Sequence, residues 1–419
     1  MVVDIEDRAA AYQACYSTAR LRPFTSDAAV PWLTELLEFM VGLYTVDRLV
    51  PRPKRGWSRG ISFTFPVVSY ERWFPLQSVL EELIVNSMGD DVTLNLRHRN
   101  AGIVHSDARA QGFALESPRP TTVGLLSDGL DSLCGAGASL AREPGAHAFV
   151  TVLTNSRRKH RISRLRTALQ SVFGDRIAYC GLDVYLADGP RKQERTQRSR
   201  TLLAIAAGLT AAAAYRASQL EIYENGVGIL NLPVPLLQMT HESSQVLHPR
   251  NLPLWSRITE QLLAPIGIVY PNRWYTKTQL CERLPSALHP AIAATSSCDA
   301  PQRRDAHADC GVCGSCMMRR LALQGAGLAH NDATYTLLPP QLPEFAASDV
   351  FPYHAALLAK ALATPDPWPA LLQLQPTLVP LVRDISDPAE RAHTISDTIA
   401  LLRRYVADVA VLRRLAHAV

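Results

Sequence analysis

The chain is poor in the features that would place it outside the cell or in a membrane. Eight cysteines are few for 419 residues, and four of them crowd between Cys298 and Cys316, which argues against a disulfide framework. The segment MVVDIEDRAA carries acidic residues and lacks the basic-then-apolar order of a signal peptide. The longest apolar run, Leu202 to Tyr215, has 14 residues, too few to cross a bilayer, and reads as a buried Ala-rich helix. A large excess of one charge is lacking as well: 43 basic against 38 acidic residues leave +5, which demands no nucleic-acid partner. No Ser/His/Asp triad and no HExxH stands out. A hydrophobic content of 47% with 19% charged residues describes a soluble globular protein of two or three domains, and the clustered cysteines suggest metal in a reducing cytoplasm.

The pattern of the chain divides into three parts. Residues 1–119 read as an α+β unit, with helical spacing from Trp32 to Tyr44, a strand over Ile61–Val67, a helix over Leu76–Met88 and a strand at Val92–Leu96. It carries no catalytic motif, so its expected job is scaffold or partner docking. Residues 120–330 alternate strands (122–126, 147–153, 176–183, 219–224) with helices (131–142, 160–173, 199–217). That grain predicts an α/β fold, a doubly wound parallel sheet whose ligand site lies at the carboxyl ends of its strands. Six prolines between positions 231 and 275 predict a long irregular excursion. Residues 331–419 read as a helical tail.

The middle part opens on TTVGLLSDGLDS, Thr121 to Ser132, a buried strand running into a small-residue loop and then a helix. Such a turn directs loop N–H groups and the positive end of a helix to one spot, a cradle for phosphate. Leu126, Ser127, Asp128, Gly129, Leu130, Asp131 and Ser132 are its candidate residues. Gly129 is expected to supply a positive φ, the two serines hydroxyl donors, and one of the two aspartates a Mg²⁺ ligand. The competing reading is an ordinary strand-to-helix turn, where Asp and Gly are common. Thr154 and the basic run Arg157–Arg161 follow the next strand, with His160 the candidate ligand there. Arg200 opens the Ala-rich helix, Lys277 follows Thr276 at a helix start, and Glu224-Asn225 ends the fourth strand, where a base-reading group would sit.

Cys298, Cys310, Cys313 and Cys316 follow the spacing C-x11-C-x2-C-x2-C. Three thiolates on one glycine-punctuated knuckle and a fourth from a nearby loop suit a closed, structural zinc site. A redox pair and an iron–sulfur cluster are the competing readings. Cys15, Cys134, Cys180 and Cys281 sit in apolar or helical contexts and read as core residues.

Together these motifs resemble a family. SDGLDS is similar to the SGGxDS pyrophosphate loop of the ATP-pyrophosphatases (PP-loop, adenine nucleotide alpha hydrolase-like fold). CGVCGSCMMRR, with Arg319, resembles the cysteine knuckle of the 7-cyano-7-deazaguanine synthase (QueC-like) members. Arg157–His160, Arg200 and Lys277 match that family's Gln-Arg-His turn and its Arg and Thr-Lys helix starts in order and rough spacing, so the likeness covers residues 121–325. The departures are Asp128 in place of the first loop glycine, Arg198-Ser199 in place of Pro-Gly, and the two added parts. That enlarged architecture looks like the QueC-like proteins of bacterial anti-phage operons. The resemblance implies ATP, Mg²⁺ and Zn²⁺ as cofactors, a deazaguanine carboxylate as substrate and a nearby-encoded protein amine as acceptor. Asp131, Ser132, Arg200 and Lys277 are the implied catalytic residues. Two alternatives stay open: a biosynthetic synthase using ammonia, and a PP-loop protein that binds nucleotide without catalysis.

Overall fold

The computed structural model describes residues 2–4, 13–16, 30–53, 58–99, 120–154, 156–187, 194, 197–232, 245–298, 308–336 and 347–416. The N-terminal part begins with β1 (Val2–Asp4), β2 (Gln13–Tyr16) and α1 (Val30–Leu49). It continues through β3 (Gly60–Val67), α2 (Tyr70–Trp73), α3 (Gln77–Met88) and β4 (Asp91–His98). β1, β3 and β4 form a three-stranded parallel sheet. Phe39, Phe63, Phe65 and Trp73 cluster against it with ring centroids 5.2 to 6.3 Å apart.

The middle part is built from β5 (Thr122–Leu125), α4 (Leu130–Arg142), β6 (His147–Leu153), α5 (Ser156–Phe173), β7 (Ile177–Ala187), α6 (Arg200–Tyr215) and β8 (Gln219–Ile222). It ends with α7 (Gly226–Leu230), α8 (Leu252–Leu262), β9 (Gly267–Val269), α9 (Lys277–Glu282), a 3-10 segment (Ser286–Ala294) and α10 (Gly314–Gly325). The sheet order is β2-β7-β6-β5-β8-β9, and every pairing but β2 with β7 is parallel. The five parallel strands therefore stand in the order 3-2-1-4-5, and β5 is where the winding reverses. α4 and α5 share a core with α9, the 3-10 segment and α10 (Leu133, Leu140, Leu165, Leu280, Ile292). α6 and α8 share the other core, which runs without a break into α1, β3 and α3 (Leu43, Phe63, Leu80, Leu203, Ile258). Sheet faces covered on both sides explain why these strands read as apolar runs and not as alternations.

The excursion expected over 231–275 is more regular than the prolines suggested. Pro253 occupies the first turn of α8, and Pro249 that of the 3-10 turn before it, where a missing N–H costs nothing. They start helices instead of breaking them, and β9 then extends the sheet. Pro118, Pro233 and Pro235 lie outside the described residues. The tail comprises α11 (Ala347–Leu362), α12 (Pro367–Leu374), α13 (Pro380–Arg383) and α14 (Pro388–Ala416). Its core (Leu358, Leu371, Leu401, Tyr405) reaches Met317 and Leu321 of α10. No described helix is long and apolar enough to cross a membrane.

Candidate active site and metal centre

The loop between β5 and α4 sits at the switch point of the sheet, beside the carboxyl end of β8. Its hydroxyls close on one another: Ser127 Oγ and Ser132 Oγ are 2.7 Å apart. The Ser127 N–H donates to Ser132 Oγ (3.1 Å) and the Gly129 N–H to Ser127 Oγ (3.1 Å). Gly129 is the N-cap of α4 at φ −83°, and no side chain caps that helix. The glycine is thus not used for a positive φ, and Asp128 does not adopt one either. A side chain at 129 would crowd Ser127 Oγ at 3.1 Å and cover the helix N-terminus, which the glycine leaves open toward an anion.

Asp131, in the first turn of α4, meets three partners. Lys277 Nζ, at the start of α9, donates to Asp131 Oδ1 at 2.5 Å, and Asn225 Nδ2 donates to Oδ2 at 2.7 Å. The Glu224 carboxyl shares a further hydrogen bond with Asp131. Lys277 is placed by a capping box in which Thr276 and Gln279 cross-bond, and Asn225 by capping α7 through the Gly228 N–H at 3.0 Å. Burial works to raise the Asp131 pKa, yet the Lys277 charge and these hydrogen bonds bring it down to about 2. Burial and the Asp131 charge push Glu224 well above the carboxylate range, so it holds a proton. Burial opposes the Lys277 charge, but the two carboxyls keep its pKa raised.

Asp128 points the other way, to α5. Arg158 Nε and Nη2 reach its Oδ1 at 2.9 and 2.8 Å, and Arg161 Nη1 stands 3.6 Å from Oδ2. His160, the residue expected to serve here, is exposed on the outer face of α5. Thr154 is half-buried at the end of β6. Arg200 opens α6; with Arg48 and Arg158 it acts on Tyr44 of α1, whose hydroxyl burial raises in pKa. The basic residues Arg191, Lys192 and Arg195, which precede Arg200 in the sequence and read there as mostly solvated, lie outside the described residues.

The structure gathers Cys298, Cys310, Cys313 and Cys316 into one cluster with every Sγ within 4.8 Å of the others. Cys310 to Cys316 and Cys298 to Cys313 are 4.0 Å Sγ to Sγ. A tetrahedron with metal–sulfur bonds of about 2.3 Å has edges of about 3.8 Å, so the set is positioned to hold one ion and is consistent with zinc. Gly311 turns the knuckle at φ 81°, a conformation that a side chain would strain. The Cys313 N–H donates to Cys310 Sγ (3.3 Å) and the Cys310 N–H to Cys298 Sγ (3.4 Å), which favours thiolates. Arg319, fully buried on α10, locks the knuckle to the 3-10 segment through Ile292 O (2.9 Å) and to Asp332 (2.8 Å). Cys134, Cys180 and Cys281 are buried free thiols.

Asp309 joins this centre to the loop. It accepts from the Ser297 and Cys298 N–H groups at 2.8 and 3.2 Å and lies 3.8 Å from Arg161 Nη2, while the Ser296 N–H donates to Asp128 O at 2.7 Å. Arg158, Arg161 and Asp309 were not singled out as loop partners in the sequence, although the two arginines carry the i, i+3 spacing of one helix face. Comparison with family models, with curated proteins and with solved structures gives no match to this chain.

Proposed function

We propose that this chain is an ATP-dependent ligase that adenylates a 7-deazaguanine carboxylate and passes the acyl group to an amine. On this reading it works in the cytoplasm, the amine belongs to a protein encoded nearby, and the setting is bacterial anti-phage defence. One observation carries the nucleotide half of the reading: the uncapped N-terminus of α4 opens at the switch point of a 3-2-1-4-5 sheet, next to the Asp131–Lys277 pair. The loop N–H groups and Ser132 would hold the polyphosphate, with Asp131 the carboxylate nearest for Mg²⁺. Lys277 and Arg200 would steady the substrate carboxylate and the charge that builds as its oxygen attacks the α-phosphate. Pyrophosphate leaves, and the amine then displaces AMP from the acyl group. No protein nucleophile is required. The identity of the substrate rests on the resemblance of the loop and knuckle to the QueC-like ATP-pyrophosphatases. The cysteine centre, read as zinc, is closed by four thiolates and braces α10 against the site.

A second reading, nucleotide binding without catalysis, is favoured by one specific observation, the Asp128 carboxylate set against Arg158 and Arg161 beside the loop. Pyrophosphate release from ATP with Mg²⁺ and 7-carboxy-7-deazaguanine tests both. Release dependent on the carboxylate supports the ligase; none, with or without an added amine, overturns it. For the metal, zinc content and thermal midpoint of Cys313→Ser should both fall; unchanged values refute the zinc assignment.

A further inference from the structure

Asp128 brings a negative charge to a place where a phosphate cradle gains from having none. Its carboxylate is only 13% exposed and engages Arg158 through two guanidinium nitrogens, with Arg161 behind. Arg161 in turn bridges to Asp309, so two guanidiniums stand against two carboxylates at the mouth of the loop. An Arg pair beside an open helix N-terminus is an arrangement suited to phosphate oxygens. Here that capacity is met from within the chain. The two serines hydrogen-bond each other within the loop, and Asp128 leaves its cations neutralised in charge.

We propose that Asp128 is a specificity-determining residue that occupies the Arg158–Arg161 anion seat and so weakens the loop's hold on a bare polyphosphate. This rests on reading the loop as a phosphate cradle. A ligand engaging those guanidiniums must displace the carboxylate, and its own charge then faces Asp128. Polyphosphate complexed with a divalent cation meets that demand; the uncomplexed tetra-anion does not.

Sodium tripolyphosphate in chelator-treated buffer, titrated by calorimetry, is the probe. Asp128→Asn should bind it roughly tenfold more tightly than wild type, and Arg158→Met added to Asp128→Asn should remove the gain. Asp128 does not need a positive φ, so Asn preserves the backbone, and Asp128→Gly is the second variant if Asn impairs folding. Asp183→Asn controls for net charge: Asp183 pairs with the exposed Lys159 at 3.5 Å, on the same helix, and its loss should leave affinity unchanged. Equal or weaker binding by both Asp128 variants at an unchanged thermal midpoint overturns the proposal. So does a gain equally large in Asp183→Asn. Absence of tripolyphosphate and ATP binding from wild type and variants alike would refute the cradle itself, and the proposal with it. Wild-type binding without an Asp128 effect refutes the proposal alone.

Discussion

Two buried charge clusters, one in the N-terminal part and one in the crevice where the β5–α4 loop meets the ends of β8 and α9, are built on different arithmetic. In the N-terminal part, Asp47 and Asp90 face Arg52 and Arg59. Asp90 takes both arms of Arg52 (2.6 and 2.8 Å) and Arg59 Nη2 at 2.6 Å, while Asp47 takes Arg59 Nη2 at 2.6 Å. Asp47 also accepts the Ser199 N–H and hydroxyl at 3.1 and 2.8 Å, holding the turn that delivers Arg200. Each carboxylate there has a guanidinium. In the crevice, Asp131 and Glu224 share one ammonium, Lys277, and the surplus carboxyl keeps a proton instead. A balanced cluster fixes geometry and has nothing to exchange. An unbalanced one keeps one carboxyl protonated. The N-terminal part shares a core with the sheet and fixes the turn before Arg200, in keeping with the scaffold half of its expected job.

The largest expected effect comes from unbalancing the balanced cluster. Asp90→Ala leaves Arg52 and Arg59 short of a partner in a dry setting, and guanidinium cannot shed its proton. Denaturant unfolding should show a loss of about 3–5 kcal/mol. A loss below about 1 kcal/mol would mean that solvent reaches this cluster and that the contrast is false.

How much of this was legible in the sequence follows from the range of each interaction. The alternation of strands and helices from Thr121 to Ile222 was readable because a doubly covered parallel strand must be apolar throughout. The cysteine cluster was readable because ligand spacing is local. The partners of Asp128 were not, and the reason is one helical turn. A helix begun at residue 160 makes His160 its first, loop-facing residue, whereas α5 begins at Ser156 and turns Arg158 and Arg161 inward with Ile162 and Leu165. A run of five basic residues has no apolar stripe with which to fix its face. The antiparallel pairing of Gln13–Tyr16 with β7 joins residues too far apart in the chain for any local pattern to announce it.

A smaller effect is expected from the crevice. Lys277→Met removes the one cation seen in its cluster among the described residues, yet a carboxyl, unlike a guanidinium, can neutralise itself by taking up a proton. The expected cost at neutral pH is about 1–3 kcal/mol, and the Asp131 pKa, now about 2, should rise into or above the ordinary range. Carbon-13 NMR of the labelled side chain reads that shift. An Asp131 that still titrates near 2 would show that Lys277 is not what holds it.

The smallest effect separates the two clusters by pH. Glu224→Gln replaces an already protonated carboxyl by a neutral donor of the same shape, so stability at about pH 4, where the unfolded glutamate is protonated too, should change by less than about 1 kcal/mol. The sign of the pH dependence is the discriminating feature. A group whose folded pKa is raised contributes fully below its unfolded value, about 4.3 for Glu, and loses that contribution as pH climbs through the folded value. Wild type minus Glu224→Gln should therefore fall as pH rises from about 4.5 upward. His248 and His354, buried and lowered to about 4, act in the opposite sense, destabilising the fold as pH drops from about 6.5 toward 4, but they are common to both proteins and cancel in the difference. Asp131, its pKa lowered, contributes fully above about pH 4 and loses that contribution only as pH falls toward 2, outside the window. A flat difference curve would mean that Glu224 is ionised in the folded chain, two carboxylates facing one lysine, and the crevice would then hold no proton to exchange.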